Sequence, residues 1–194
     1  MDTSEYYIES VKKQFLYYKT IAEKAITQLE PEQLFYTHNE DTNSIAVIIK
    51  HLHGNMLSRW TDFFTSDGEK EWRNRDDEFV DDWKSKETVM QKWEEGWACL
   101  FTALDNITAQ NLGSIISIRN EGHAVIEAVN RQLAHYAYHV GQIIFYAKLL
   151  KKESWNSLSI PKNKSKDYNR EKFASDKTER NFIDDALDKL NKVE

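Results

Sequence analysis

Two histidines four residues apart, His135 and His139, stand in the stretch His135-Tyr136-Ala137-Tyr138-His139-Val140-Gly141-Gln142-Ile143. On a helix, side chains at i and i+4 leave the same face one turn apart, so both imidazoles reach a single metal ion. Imidazole is the commonest protein ligand for transition metals, and a third ligand from a neighbouring helix would complete a centre with open positions for substrate. Three neutral imidazoles leave the ion's charge uncompensated. Such a set suits zinc or nickel rather than magnesium or calcium, which require oxygen ligands. An ion of this kind lowers the pKa of a water in its open position, or takes an anionic ligand such as a thiolate there.

At about 100° per residue, His135 and His139 lie on the flank of the apolar stripe that the surrounding residues form. Arg131 and Glu127 continue their row toward the N-terminus, at a spacing that predicts an ion pair between them. Two candidates for the third ligand, His51 and His53, lie on another helical stretch and point about 200° apart, so both cannot serve one ion. His53 shares the apolar sector with Ala46, Leu57, Trp60 and Phe64. His51 lies on the flank with Ser44, Asn55 and Arg59. A core-facing His53 suits a buried ion and a flank His51 an open cleft, so periodicity leaves the choice open. His38 falls in a loop and His123 beside a glycine, as surface or capping residues. Cys99, between Trp97 and Phe101, reads as a small core residue, and no side chain reads as a general base.

Four helices must position these residues. Ile8, Val11, Phe15, Tyr18, Ala22, Ala25 and Leu29 mark one apolar face over residues 5–30, closed by Pro31. A second helix opens near Asn43 and runs to Asp67–Gly68, with Ile45, Ile48, Ile49, Leu52, Met56, Trp60 and Phe63 inward. A third covers 86–106 around Met90, Trp93, Trp97, Leu100, Phe101 and Leu104. The fourth covers 125–152, through Ile126, Val129, Leu133, Tyr136, Val140, Ile143, Ile144 and Ala147. The pattern predicts an all-α fold, a four-helix bundle over residues 1–152. Ser114–Ile118 followed by Asn120–Gly122 reads as an extended piece or hairpin before the fourth helix. Loop 69–87 is strongly charged yet holds Trp72, Phe79 and Trp83, which predicts packing against the bundle, with Trp72 and Trp83 as candidate pocket walls. An extension, 153–194, starts with Trp155 and Leu158–Pro161, passes through a Lys-rich segment expected to be mobile, and ends in a short amphipathic helix through Phe182, Ile183, Ala186, Leu187, Leu190 and Val193.

The 194 residues are 40% hydrophobic and 30% charged, a balance proper to a globular chain. A net charge of −6 with no clustering of Lys and Arg argues against a nucleic-acid partner. No apolar run approaches the roughly 20 residues of a membrane span. One cysteine excludes an internal disulfide, and the N-terminus lacks the layout of a secretory signal, so a cytoplasmic location is expected.

Helix two, Asn43-Ser44-Ile45-Ala46-Val47-Ile48-Ile49-Lys50-His51-Leu52, together with His135-Tyr-Ala-Tyr-His139-Val-Gly-Gln-Ile, resembles the DinB/YfiT-like superfamily over roughly residues 5–150. That superfamily consists of four-helix bundles with a three-histidine divalent-metal site: one His on helix two and an HxxxH pair on the last bundle helix. The family's first His follows the small polar residue opening helix two by seven positions. Here that residue is Ser44, and the resemblance selects His51. It implies a metal centre of His51, His135 and His139; Asn55 and Arg131, one turn from those ligands in the sequence, are by position the candidate substrate contacts. It also implies a small-molecule substrate, a thiol-dependent S-transferase of the bacillithiol or mycothiol type or a related hydrolase, a low-molecular-weight thiol as cofactor, and homodimers formed through helix faces. The rival reading is a non-catalytic dimeric bundle that binds metal or has lost it. The charged loop and the extension lie outside the family pattern and mark a distinct branch.

Overall fold

Asp2 and Glu5 cap the first helix reciprocally, each carboxylate accepting the other's backbone N–H, at 2.9 and 3.0 Å. In the computed structural model, which describes residues 2–191, this helix, α1, spans Thr3–Thr27. Pro31 then opens a 3₁₀ turn, Pro31–Phe35. Helix α2, Ile45–Trp60, is capped by Ser44, whose Oγ accepts from the Val47 N–H at 3.2 Å. Ser85 caps α3, Lys86–Asp105, and α4 covers Val125–Lys151. The protein is mostly helical, and these are the four stretches that periodicity marks.

The largest departure is the end of α2, which stops at Trp60 rather than near Gly68. Asp62 takes a left-handed φ of 47° and its carbonyl accepts from Thr65 and Ser66, so the chain turns away from the helix axis. The freed segment is stitched to a hairpin of β1, Ile115–Ile118, and β2, Glu121–Ala124. Arg119 and Asn120, both at positive φ (55° and 60°), form its turn, the handedness that matches strand twist. Asp67 holds that turn, accepting at 2.8 Å from Ser117 Oγ and from the backbone N–H groups of Arg119 and Asn120. These bonds outweigh partial burial and hold the Asp67 carboxyl well below the usual range.

Helix α2 packs on α3 and α4, and α1 on α4, around one core. At its centre Phe15 meets the rings of Trp60, Trp97 and Tyr136 at centroid distances of 5.9–6.4 Å. Gly96 lets α2 and α3 approach closely: a Cβ there would stand 3.0 Å from Met56 Sδ and 3.4 Å from the His53 Cα. Trp155 and Leu158 of the extension pack at the core's edge. The segment expected to be mobile contains a helix, α5, Ser165–Phe173. The expected terminal helix is α6, Phe182–Asn191. It docks on α1 through buried Ile183 and Leu190, with Lys13 and Asp184 paired at 2.9 Å. Val193 lies outside the described residues. Among the described residues no helix is long and apolar enough to cross a membrane.

Candidate metal centre

The apolar face of α4 buries Val129, Tyr136, Val140 and Ile143, which turns the flanking His135 and His139 toward α2. There they meet His51, and one ring nitrogen from each of the three lies within 4.8 Å of the others. The Nε2 of His135 is 3.0 Å from that of His139 and 3.4 Å from that of His51. With metal–nitrogen bonds of about 2.0–2.1 Å, two imidazoles on one ion stand roughly 2.9–3.4 Å apart for ligand angles between a right angle and tetrahedral. Both spacings fall in that range.

Protonation matches. Each Nδ1 faces an acceptor oxygen: His51 Nδ1 meets Glu78 Oε2 at 2.8 Å, His139 Nδ1 meets Gln142 Oε1 at 2.7 Å, and His135 Nδ1 meets Gln132 Oε1 at 3.4 Å. Protons held at Nδ1 leave three Nε2 lone pairs converging on one point. Burial, with the neighbouring imidazoles, pushes His135 down to about 3, and burial pushes His139 to about 4. Both rings are therefore neutral at pH 7. Three Nε2 atoms facing one another at these distances could hold a metal ion between them.

His53 is not part of this arrangement. It points toward α3, with Nε2 3.2 Å from Glu95 Oε2, an ion-pair distance without hydrogen-bond geometry, and its ring stands edge-on to Trp83. Burial lowers its pKa. Geometry thus favours the flank residue over the core-facing one.

Loop 69–87 contributes more than packing. Its 3₁₀ turn, Asp76–Phe79, carries Glu78 into the protein interior, where the carboxylate receives His51 Nδ1 on one oxygen. Arg73 donates to both oxygens, Nε to Oε1 at 2.7 Å and Nη2 to Oε2 at 3.0 Å. Burial alone raises a carboxyl pKa, yet these bonds from His51 and Arg73 bring Glu78 below its ordinary value. Gly54 makes room for it, since a Cβ at that position would lie 2.7 Å from the Glu78 carboxyl carbon. Phe79 stacks on the His51 ring at 5.1 Å, and Arg75 lies over Phe79 at the same distance. Of the loop's tryptophans, Trp72 is 60% exposed and Trp83 packs beside His53 and Lys50. Neither walls the site. No spacing rule marks Glu78 in the sequence; an acidic residue beside an aromatic in a charged loop is the only trace.

A cavity of about 630 Å³ opens beside His51 and His135. Asn55 and Arg131 both line it. The expected pair between Arg131 and Glu127 is not formed, because Glu127 turns back to accept from the Ala124 N–H at 3.2 Å and caps α4. Asn55 is buried, and its Oδ1 accepts at 3.0 Å from Tyr136, whose hydroxyl receives Trp60 Nε1 at 2.9 Å. This chain of bonds turns the Asn55 oxygen inward. His38 is exposed, and His123 on β2 is half-buried, remote from the triad in sequence and contacts. Cys99 is half-buried with its thiol pKa raised by burial, as a packing residue.

The family "Protein of unknown function (DUF1572)" matches residues 2–164, and the chain belongs to it. Comparison with curated proteins and with solved structures gives no match.

Proposed function

We propose that this DUF1572 protein is a metal-dependent enzyme that holds a zinc or nickel ion on His51, His135 and His139. The carrying observation is the convergence of one ring nitrogen from each of the three histidines within 4.8 Å, each ring facing an acceptor at Nδ1. When bound, the ion supplies Lewis acidity, so that a water or thiol beside it ionises near neutral pH. The protein's residues do the rest. Glu78 fixes the His51 tautomer, Arg73 fixes Glu78, and Phe79 shields one side of the centre from water. Asn55 and Arg131, in the adjoining cavity wall, are the substrate contacts.

The arrangement of α1–α4 is read here as a DinB-like four-helix bundle over 1–152, with 153–194 as an extension. On that reading the reaction is transfer of a low-molecular-weight thiol, bacillithiol-type, to an electrophile, or a related hydrolysis. Tyr138, Phe145 and Leu149 form an exposed row on α4, 60%, 68% and 55% accessible, which supports a homodimer through that helix. Metal analysis of protein purified without chelator tests the centre. About one zinc or nickel per chain is expected, lost in His139→Ala; unchanged content in that variant refutes the ligand assignment. A screen of thiol cofactors against electrophilic acceptors tests the reaction. Metal-loaded protein inert with every thiol leaves the hydrolase and the non-catalytic dimer as the readings to pursue.

A further inference from the structure

The chain has seven arginines and nineteen lysines. Five of those arginines, 59, 73, 75, 119 and 131, line the one cavity beside His51 and His135, and no lysine and no carboxylate lines it with them. A protein of net charge −6 has thus gathered most of its guanidinium groups around one opening. Arginine rather than lysine is the residue for planar, two-pronged recognition of carboxylates and phosphates.

Three of the five have internal partners. Glu69 alone serves Arg59, Arg73 and Arg119, at 3.0, 3.2 and 3.3 Å. Arg73 also holds Glu78 at 2.7 Å. Two carboxylates therefore face five guanidiniums. Among the described residues Arg75 and Arg131 make no ion pair. Arg75 rests on the Phe79 ring, itself stacked on His51, and Arg131 sits one turn before His135 on α4. Deeper in, Arg59 is 8% exposed and its Nε has no partner. Asn55, 5% exposed, has its oxygen engaged by Tyr136, which leaves the amide N–H groups as its free end. Unmatched donors thus occur at the cavity's mouth and within its wall.

We propose that this cavity binds the oxyanion group, carboxylate or phosphate, of a small-molecule substrate, with Arg75 and Arg131 clamping it beside the histidine centre. The substrate class rests on the reading of that centre as the reaction site, whereas the anion site itself is built from residues that ligate no metal. At roughly 630 Å³ the cavity has the size of a small-molecule site rather than that of a free ion.

The test titrates succinate and inorganic phosphate separately into the full-length protein by calorimetry, both metal-loaded and stripped of metal, at constant ionic strength. Saturable binding of at least one anion to both forms is expected, weakened at least tenfold in the double variant R75Q/R131Q, whose metal content stays that of wild type. Both side chains are exposed and have no ion pair to lose, so the variant keeps its fold, as circular dichroism would verify. Preference for succinate assigns a carboxylate substrate and preference for phosphate a phosphorylated one. Absence of saturable binding overturns the proposal. So does binding confined to the metal-loaded form, or a change under threefold in R75Q/R131Q. Metal retained in His139→Ala refutes the metal centre instead and leaves these titrations with stripped protein standing, so the two failures are separable.

Discussion

Replacing Glu78 with Gln probes the link between loop 69–87 and the histidine centre. The carboxylate accepts from three donors: His51 Nδ1 at 2.8 Å and two nitrogens of Arg73 at 2.7 and 3.0 Å. An amide has one oxygen, so one contact must become donor against donor. If the new NH₂ faces His51, the ring must accept at Nδ1 and carry its proton on Nε2, where it blocks the converging lone pair. If it faces Arg73, that arginine loses a charge-assisted bond while its side chain is only 3% exposed. Either loss is worth about 1.5–3 kcal/mol, which converts to roughly a 10- to 100-fold drop in metal affinity if it falls on His51. The assay is zinc competition against a chromophoric chelator, paired with urea unfolding of the metal-free protein. The expected outcome is zinc affinity reduced at least tenfold, with a stability loss of about 1–3 kcal/mol. Glu78→Ala, which removes both acceptors from a buried pair, costs about 3–5 kcal/mol. Zinc affinity within twofold of wild type in both E78Q and Glu78→Ala refutes the reasoning: Glu78 would then be a partner of Arg73 and nothing more to the centre.

Gly54→Ala attacks the same contact from the other side. Alanine is the better helix former by about 1 kcal/mol, yet its Cβ would collide with the Glu78 carboxyl group, so weaker zinc binding without a gain in stability is expected; a stabilised variant with intact affinity contradicts it. Tyr136→Phe removes the hydroxyl between Trp60 and Asn55, leaving a buried indole N–H unpaired at a cost of about 1–3 kcal/mol; a loss under about 0.5 kcal/mol by urea unfolding would show that the bond is replaced. Burial depresses His135 to about 3 and His139 to about 4 in the folded chain, whereas unfolded histidine titrates near 6.5. Between these values the unfolded state binds more protons, so the stability of the metal-free protein should be full above about pH 6.5 and fall as pH drops toward 4. The slope of unfolding free energy against pH measures this, and His139→Gln should flatten it; a wild-type slope in that variant would remove His139 as its source. Deleting residues 182–194 uncovers α1 where Ile183 and Leu190 dock. Two such apolar side chains are worth about 3–6 kcal/mol, so a lower Tm with unchanged metal content is expected; lost metal would instead make α6 part of the centre.

What the sequence discloses here follows the range of the interaction involved. His135 and His139 are legible because a helix fixes i and i+4 on one face whatever the rest of the chain does. The four long helices are legible for the same reason, each carrying an apolar stripe. His51 against His53 was beyond periodicity: the choice depends on how α2 rotates against α3, and Gly96 and Glu95 of α3 take part in that packing. Periodicity carries α2 beyond its true end at Trp60 because Phe63 and Phe64 continue the apolar pattern. What stops the helix is the left-handed Asp62 and the ties of Asp67 and Gly68 to a hairpin some 50 residues away. The pairing of Arg131 with Glu127 failed through local competition: a carboxylate at the third helical position gains more from a free backbone N–H than from a solvated guanidinium.

Glu78 shows why half of the centre stays hidden in the sequence. It reaches His51 across 27 residues from a loop whose composition is that of a solvated surface segment. Nothing short-range requires it to be inside. Its burial is tolerable only because Arg73, five residues earlier, follows it in and supplies both oxygens with donors. Arg73 is in turn tolerable only because Glu69 meets its remaining nitrogen. The loop is therefore a relay of alternating charges, Glu69, Arg73 and Glu78, that ends on an imidazole. Its high charge, which in isolation reads as a reason to stay in water, is what allows it to enter the protein and fix the ring that completes the triad.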